Sequence, residues 1–193
     1  HYPNLSFPMK DDGDMVERKG GGSTTDKAVV GVDGRHRHST TRLGPTVLDI
    51  GCGFGGLTVA LSTLLPKERI LGMEIRAKVT EFVRLRILSL RKEHRTTPIV
   101  PDMKSTSNKY ENASVLRTNS MKYLPNYFGQ ATISKLFFCF PDPHFKRKNW
   151  PRRIGSERLL TEYAFVLQPG VGKLYTITDV QELHEWHVAS CDA

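Results

Sequence analysis

Short apolar runs alternate with helix-periodic stretches along most of the chain after position 45. Val47-Leu48-Asp49-Ile50, Arg69 to Glu74, Ser114 to Arg117, Leu136 to Phe140 and Gly172 to Thr178 are each too short for a helix and rich in β-branched, leucine or aromatic residues, so they read as five strands. Leu136-Phe137-Phe138-Cys139-Phe140 has no polar position at all, the pattern of a strand buried on both faces. Between them, Leu57 to Leu65 forms a helix that stops before Pro66. A second helix, 77–92, points Val79, Phe82, Val83, Ile87 and Leu90 toward the sheet and sets Arg84 and Arg91 on another face, with Arg95 joining them if the helix runs on. A third is capped near Ser156, runs through Leu159, Leu160 and Tyr163 to Leu167, and closes at Pro169-Gly170. The last spans Val180 to about Ala189. Strand and helix in alternation predict an α/β fold with a doubly wound, mostly parallel sheet.

Two segments break the pattern. Residues 1–45, with the tract Gly20-Gly21-Gly22-Ser23-Thr24-Thr25 and the cluster Arg35-His36-Arg37-His38, read as an extended arm and a loop. Residues 94–113 are polar with two prolines and read as a loop insertion. The ordered domain is therefore expected at 46–193. Composition adds three points. The chain has 193 residues, which suits one domain with a sizeable core. Lys and Arg exceed Asp and Glu by eight, which favours a polyanionic partner such as nucleic acid. Cys52, Cys139 and Cys191 are an odd, widely spaced set, so neither a disulfide framework nor a CxxC metal site is expected, and a reducing compartment is. His36 and His38 lack further ligands nearby, as do His184 and His187, so no metal is expected. No run is long enough to span a membrane.

The chemistry gathers where strands end. Gly51, Gly53 and Gly56 form G-x-G-x-x-G between a strand and a helix, and Glu74 closes the second strand 23 residues after Gly51. Glycines admit a sharp turn and close backbone approach, and the carboxylate can accept two ribose hydroxyls. NAD and S-adenosylmethionine both satisfy this spacing. Asn119, after the third strand, can read an adenine edge or simply make an Asx turn. Pro141-Asp142-Pro143 stops the fourth strand and sets Asp142 on a stiff corner at the strand's carboxyl end, unless it is only a turn. Lys146, Arg147, Lys148, Arg152 and Arg153 follow, with Trp150 among them.

Taken together, DIGCGFGG at 49–56, ILGMEIR at 70–76, LRTNSMKYLPNYF at 116–128, KLFFCFPDPHFKRK at 135–148, LLTEYAFVL at 159–167 and YTITDVQELHEW at 175–186 resemble the tRNA (guanine-N7-)-methyltransferases. His144-Phe145 resembles the eukaryotic branch. The resemblance implies a class I, Rossmann-like methyltransferase fold that moves a methyl group from S-adenosylmethionine to N7 of a guanine in tRNA. It implies cofactor contacts from Gly51, Gly53, Glu74, Ile75, Arg76, Asn119, Ser120 and Cys139, and Asp142 as the acidic catalytic residue. It also implies phosphate contacts from Lys146, Arg147, Lys148, Arg152 and Arg153, a WD-repeat β-propeller subunit as partner, and a nuclear location, with the cytoplasm as a second one.

Guanine N7 carries a lone pair and no proton, so Asp142 is expected to orient the base and offset developing positive charge, not to act as a general base. Pro151 stands where the family has a basic residue. The family also continues through two more strands and a Thr-x-x-Glu-like segment, so C-terminal strands are expected to be missing here, with Lys173–Thr178 as a sheet edge. The alternative reading is a non-catalytic or truncated tRNA-binding member of the same fold. A nicotinamide-dependent reductase rests on the glycine loop alone.

Overall fold

The computed structural model describes residues 44–96 and 109–192. The arm through residue 43, with its glycine tract and Arg-His cluster, and residues 97–108 of the insertion lie outside the described residues. The elements in order are β1 Val47–Ile50, α1 Gly56–Leu64, β2 Ile70–Glu74, α2 Ala77–Thr96, β3 Ala113–Arg117, α3 Ser120–Tyr127, β4 Lys135–Cys139, a 3₁₀ helix Arg147–Arg152, α4 Glu157–Val166, β5 Lys173–Ile177 and α5 Gln181–Asp192. The sheet order is β3-β2-β1-β4-β5 and every pairing is parallel. This is the doubly wound α/β architecture that the alternation predicts.

All four residues of β1 are buried, as parallel strands covered by crossover helices should be. On one face Leu48, Ile50, Leu71, Met73, Leu136 and Phe138 pack with Leu124, Phe128, Leu159 and Tyr163 of α3 and α4. On the other, Val47, Ile70 and Ala113 meet Leu61 of α1 and Val83 and Ile87 of α2.

Several expectations need correcting. β4 is buried on one face only: Leu136 and Phe138 are covered, while Phe137 is half-buried and stacks on Tyr175 of β5 with ring centroids 4.6 Å apart. Phe140 lies past the strand, exposed and with φ 51°. Phe82 does not face the sheet but is exposed, packing edge-on against Phe54 at 5.5 Å. The insertion is shorter than 94–113, because α2 continues to Thr96 and the Asn112 carbonyl already accepts from the Ile70 N–H at 2.7 Å. α3 was not expected at all, and Pro125 sits inside it, past the first turn, where proline forgoes an intrahelical donor. The 3₁₀ helix holding Pro151 is likewise additional. At the start, Pro45, which the sequence assigns to the arm, is buried.

The glycine loop also departs from the simple motif. Gly51, Gly53 and Gly55 have φ of 71°, 53° and 74°, whereas Gly56 does not adopt a positive φ. A Cβ on Gly55 would lie 2.6 Å from Val83 Cγ1, while one on Gly56 meets nothing. Gly55, not the third motif glycine, lets α1 lie against α2. Gly55→Ala combines a left-handed backbone with overpacking and should destabilise by roughly 2–4 kcal/mol. Gly56→Ala, in the first turn of α1, should be neutral or stabilising by up to about 1 kcal/mol. Chemical denaturation of the two variants checks the contrast, and similar losses in both would remove Gly55's special place.

Candidate functional site at the carboxyl edge of the sheet

From β1 the chain winds outward through β2 and β3, then crosses back to β4 and β5. The winding direction reverses between β1 and β4, and open α/β sheets leave a crevice beyond the strand ends at that point. Every residue singled out at a strand end reaches this edge. Asn119 and Ser120 follow β3, Glu74 to Arg76 follow β2, Gly51 and Gly53 follow β1, and Cys139 and Asp142 end β4. From β3 to β4 is three strand spacings, roughly 14 Å at about 4.8 Å each.

The floor of the crevice is preorganised by main-chain bonds. The Gly51 and Cys52 N–H groups donate to Met73 O at 2.8 and 3.1 Å, and Thr118 N–H donates to Glu74 O at 3.0 Å. Glu74 is only 4% exposed. Its Oε2 accepts from the Gly53 N–H at 3.2 Å, and its Oε1 from the Arg76 N–H and Nε, both at 3.0 Å. Burial raises its pKa, but the Arg76 hydrogen bonds and charge outweigh that and leave it below the usual carboxylate value. Asp49, beneath the loop, goes the other way: burial raises its pKa despite a 2.7 Å bond from Thr58 Oγ1 to Oδ2. Between them, burial and then the charges of Asp49 and Glu74 push the Cys52 thiol up to about 12, which makes it inert. Burial likewise raises Cys139.

Open space in front of the glycine backbone completes the cradle: Cβ atoms on Gly51 or Gly53 would meet nothing within 4 Å. Asn119 occupies the N-cap position of α3, yet its side chain makes no cap bond. Its amide is therefore not spent on the turn. Ile75, Phe54 and Phe82 are all large, apolar and exposed, the last two in edge contact.

Pro-Asp-Pro is both a turn and a corner. Asp142 Oδ1 accepts from the His144 N–H at 2.9 Å, an Asx-type closure, while the carboxylate remains 72% exposed. Phe140 and His144, on either side, have φ of 51° and 46°. Left-handed backbone at two non-glycine residues costs on the order of 1–3 kcal/mol each, and such strain collects at functional sites. The Phe140 N–H is pinned to Ile177 O at 2.7 Å.

Of the five basic residues expected on phosphates, Lys146, Arg147, Lys148 and Arg152 are exposed on or beside the 3₁₀ helix. Arg153 is not. It is 1% exposed, lies 4.7 and 4.8 Å from the ring centroids of Trp150 and Trp186, and donates from Nε to Pro143 O at 2.9 Å and from Nη2 to Glu182 Oε1 at 2.6 Å. Placing it on a phosphate is a misreading: a guanidinium enclosed by two indoles does not reach an external polyanion. Of the two helix histidines, His184 is exposed and His187 is buried against Gly155. Burial, then the Arg153 charge, lowers the His187 pKa.

A methyltransferase family model, described as "Putative methyltransferase", matches residues 44–193. The chain belongs to this methyltransferase family. It is 57% identical over 143 residues to the tRNA (guanine-N(7)-)-methyltransferase of Arabidopsis thaliana, covering 74% of this chain and 52% of that protein. The protein of the same name in Yarrowia lipolytica is 54% identical over 142 residues, covering 74% and 45%. The motif resemblance is thus borne out, and the chain spans about half the length of the curated relatives it matches. The crystal structure of a predicted O-methyltransferase from Agrobacterium tumefaciens shares the fold, with a TM-score of 0.51, 17% identity, and coverage of 76% of this chain and 60% of that one.

In this methyltransferase domain, no group of three or more metal-ligating side chains occurs among the described residues. No described helix is long and apolar enough to cross a membrane. Sequence reasoning missed Asp49, whose signal was an acid inside an otherwise apolar strand. It also missed the pairing of Arg153 with Trp186 and Glu182, for which no local signal exists.

Proposed function

We propose that this chain is the catalytic portion of an enzyme that methylates N7 of a guanine in tRNA, using S-adenosylmethionine. The observation that carries the reading is Asp142, an exposed carboxylate on a strained corner beside the switch point of a methyltransferase sheet. The names of the relatives support the same reading.

When bound, S-adenosylmethionine supplies a sulfonium methyl group. The residues present fit it: the open cradle at Gly51 and Gly53 admits close approach, buried Glu74 accepts hydroxyls, and the Asn119 amide is available to a purine. Ile75, Ser120 and Cys139 border the same edge, and Arg76 closes on Glu74. Asp142 accepts from the N–H donors of guanine, fixing the base's orientation. Its charge stabilises the cation that develops on the purine. No base is required, because N7 has no proton to lose. Lys146, Arg147, Lys148 and Arg152 meet tRNA phosphates and so position the nucleotide without reading its sequence. A WD-repeat β-propeller subunit and a nuclear location belong to the same proposal, on the resemblance to the eukaryotic branch.

The deciding experiment incubates the full-length protein with labelled S-adenosylmethionine and total tRNA and maps the modified nucleoside. N7-methylguanosine is expected; tRNA binding without label transfer would favour a non-catalytic member. Glu74→Ala should raise the cofactor dissociation constant by about 10- to 150-fold, because hydrogen bonds to a charged group are worth roughly 1.5–3 kcal/mol. Calorimetry tests it, and equal binding by both proteins would refute the assignment. Asp142→Asn keeps the shape but turns an acceptor toward guanine's donors into a donor. Its turnover should fall on the order of 100-fold or more with cofactor affinity retained; wild-type turnover would remove the orienting role. Neutralising two of Lys146, Arg147, Lys148 and Arg152 should flatten the log–log salt dependence of tRNA binding by roughly 1.5–2 units. An unchanged slope would leave this segment facing solvent only.

A further inference from the structure

We infer that Arg153 is a positioning residue for the Asp142 corner, a role that rests on the reading of Asp142 just given. The corner is strained at both ends, with left-handed backbone at Phe140 and His144. Such conformations persist only where the surroundings over-determine them. At the near end Ile177 O holds the Phe140 N–H at 2.7 Å. At the far end the hold on the main chain comes from Arg153, whose Nε donates to Pro143 O at 2.9 Å, one residue beyond Asp142.

What fixes the guanidinium is partly local and partly remote from it in sequence. Trp150 of the 3₁₀ helix and Trp186 of α5 each lie within 5 Å of it, at 4.7 and 4.8 Å, and Glu182 of α5 accepts from Nη2 at 2.6 Å. The two indoles pack edge to face at 5.4 Å, and Trp186 is itself anchored by Nε1–H donating to Gly155 O at 3.2 Å. Gly155 is glycine because His187 fills the space where its Cβ would go, 2.5 Å from His187 Cδ2. The corner that carries Asp142 is therefore strapped to α5 through one arginine.

Stability alone does not explain this choice. Arg153 is buried and its Nη1 has no hydrogen-bond partner among the described residues. A whole buried ion pair can often be replaced by apolar side chains without loss of stability, and here Glu182 is half exposed, so its carboxylate stays hydrated when the arginine is removed. An apolar side chain can pack against the indoles but cannot donate to Pro143 O. Lysine can donate once but lacks the planar fork that packs on aromatic rings while donating in two directions. The arrangement is specific to a planar, permanently charged, multiply donating group, and its product is the placement of the corner. Transfer to N7 depends on that placement, since misplacements of about 1 Å can cost two orders of magnitude in rate.

The test uses Arg153→Lys, Arg153→Met and Glu182→Gln in the full-length protein. Arg153→Lys and Arg153→Met should retain cofactor affinity and the wild-type salt slope of tRNA binding, keep KM for tRNA within about twofold, and lose at least tenfold in kcat. Glu182→Gln should lose less, in the same direction. The His144 amide, which donates to Asp142 Oδ1, should exchange faster with solvent by NMR in all three variants. Wild-type kcat in a folded Arg153 variant overturns the proposal. So does a salt slope lowered by about one unit in Arg153→Met, which would mark a phosphate contact instead. If both Arg153 variants fail to fold and Glu182→Gln keeps wild-type kcat and His144 exchange, the arginine is only structural and the proposal falls. Failure of the wild-type protein to methylate tRNA, or full activity of Asp142→Asn, would sink the functional reading instead; His144 exchange would still report whether Arg153 holds the corner.

Discussion

The arrangement depends on β1 being paired in parallel on both sides and dry on both faces. A strand of four buried residues between β2 and β4 leaves no room for a polar group except where the structure can satisfy it. Asp49 is that exception, and Thr58 of the following helix satisfies it. Parallel pairing then imposes the rest. Each strand must return by a crossover, so all carboxyl ends lie at one edge, and reversal of the winding beside β1 opens the crevice there. The glycine loop, Glu74, Asn119 and Asp142 share a site because they terminate strands of one register, although 91 residues separate Gly51 from Asp142.

Those strand ends were legible because their signals are local. Short apolar runs, a glycine loop after a strand and an acid closing the next strand are patterns that need no knowledge of distant partners. What the sequence did not disclose depends on contacts made far along the chain. Gly55 and Gly56 are indistinguishable neighbours until Val83 is packed against one of them. Phe137 reads as core, yet the face of β4 that it occupies is only partly covered, so its ring settles for Tyr175. α3 was hidden by Pro125, a residue that propensity keeps out of helix interiors but that tertiary packing of the neighbouring Leu124 overrides here. Arg153 reads as one more base in a basic run, because Trp186 and Glu182 follow it by about thirty residues.

The basic run accordingly contains two kinds of cation. Lys146, Arg147, Lys148 and Arg152 remain hydrated, so their contribution to binding a polyanion is long-ranged, salt-dependent and tolerant of exact position. Arg153 is dehydrated, and its attraction to Glu182 and to the two indole faces is short-ranged and directional. One segment can thus gather a phosphate backbone on its outer side while its inner side fixes the loop before it. Exposed charge suits the first task because the partner arrives in many orientations; enclosed charge suits the second because only one is wanted.

Glu74 and Arg76 show the same division at the carboxyl end of β2. The Gly53 N–H reaches Glu74 from a backbone fixed by its own turn, so that bond holds one oxygen in place whatever else binds. Arg76 reaches the same carboxylate with a side chain that is 60% exposed. The guanidinium is solvent-accessible although the carboxylate is not, so ligand hydroxyls that bond Glu74 can replace the hydrogen bonds Arg76 gives up. Until then Arg76 keeps a buried carboxylate paired, and a buried unpaired charge is the costlier state. The carboxylate can therefore remain ionised and correctly placed in both conditions, with the backbone supplying its position and the exposed arginine its charge balance.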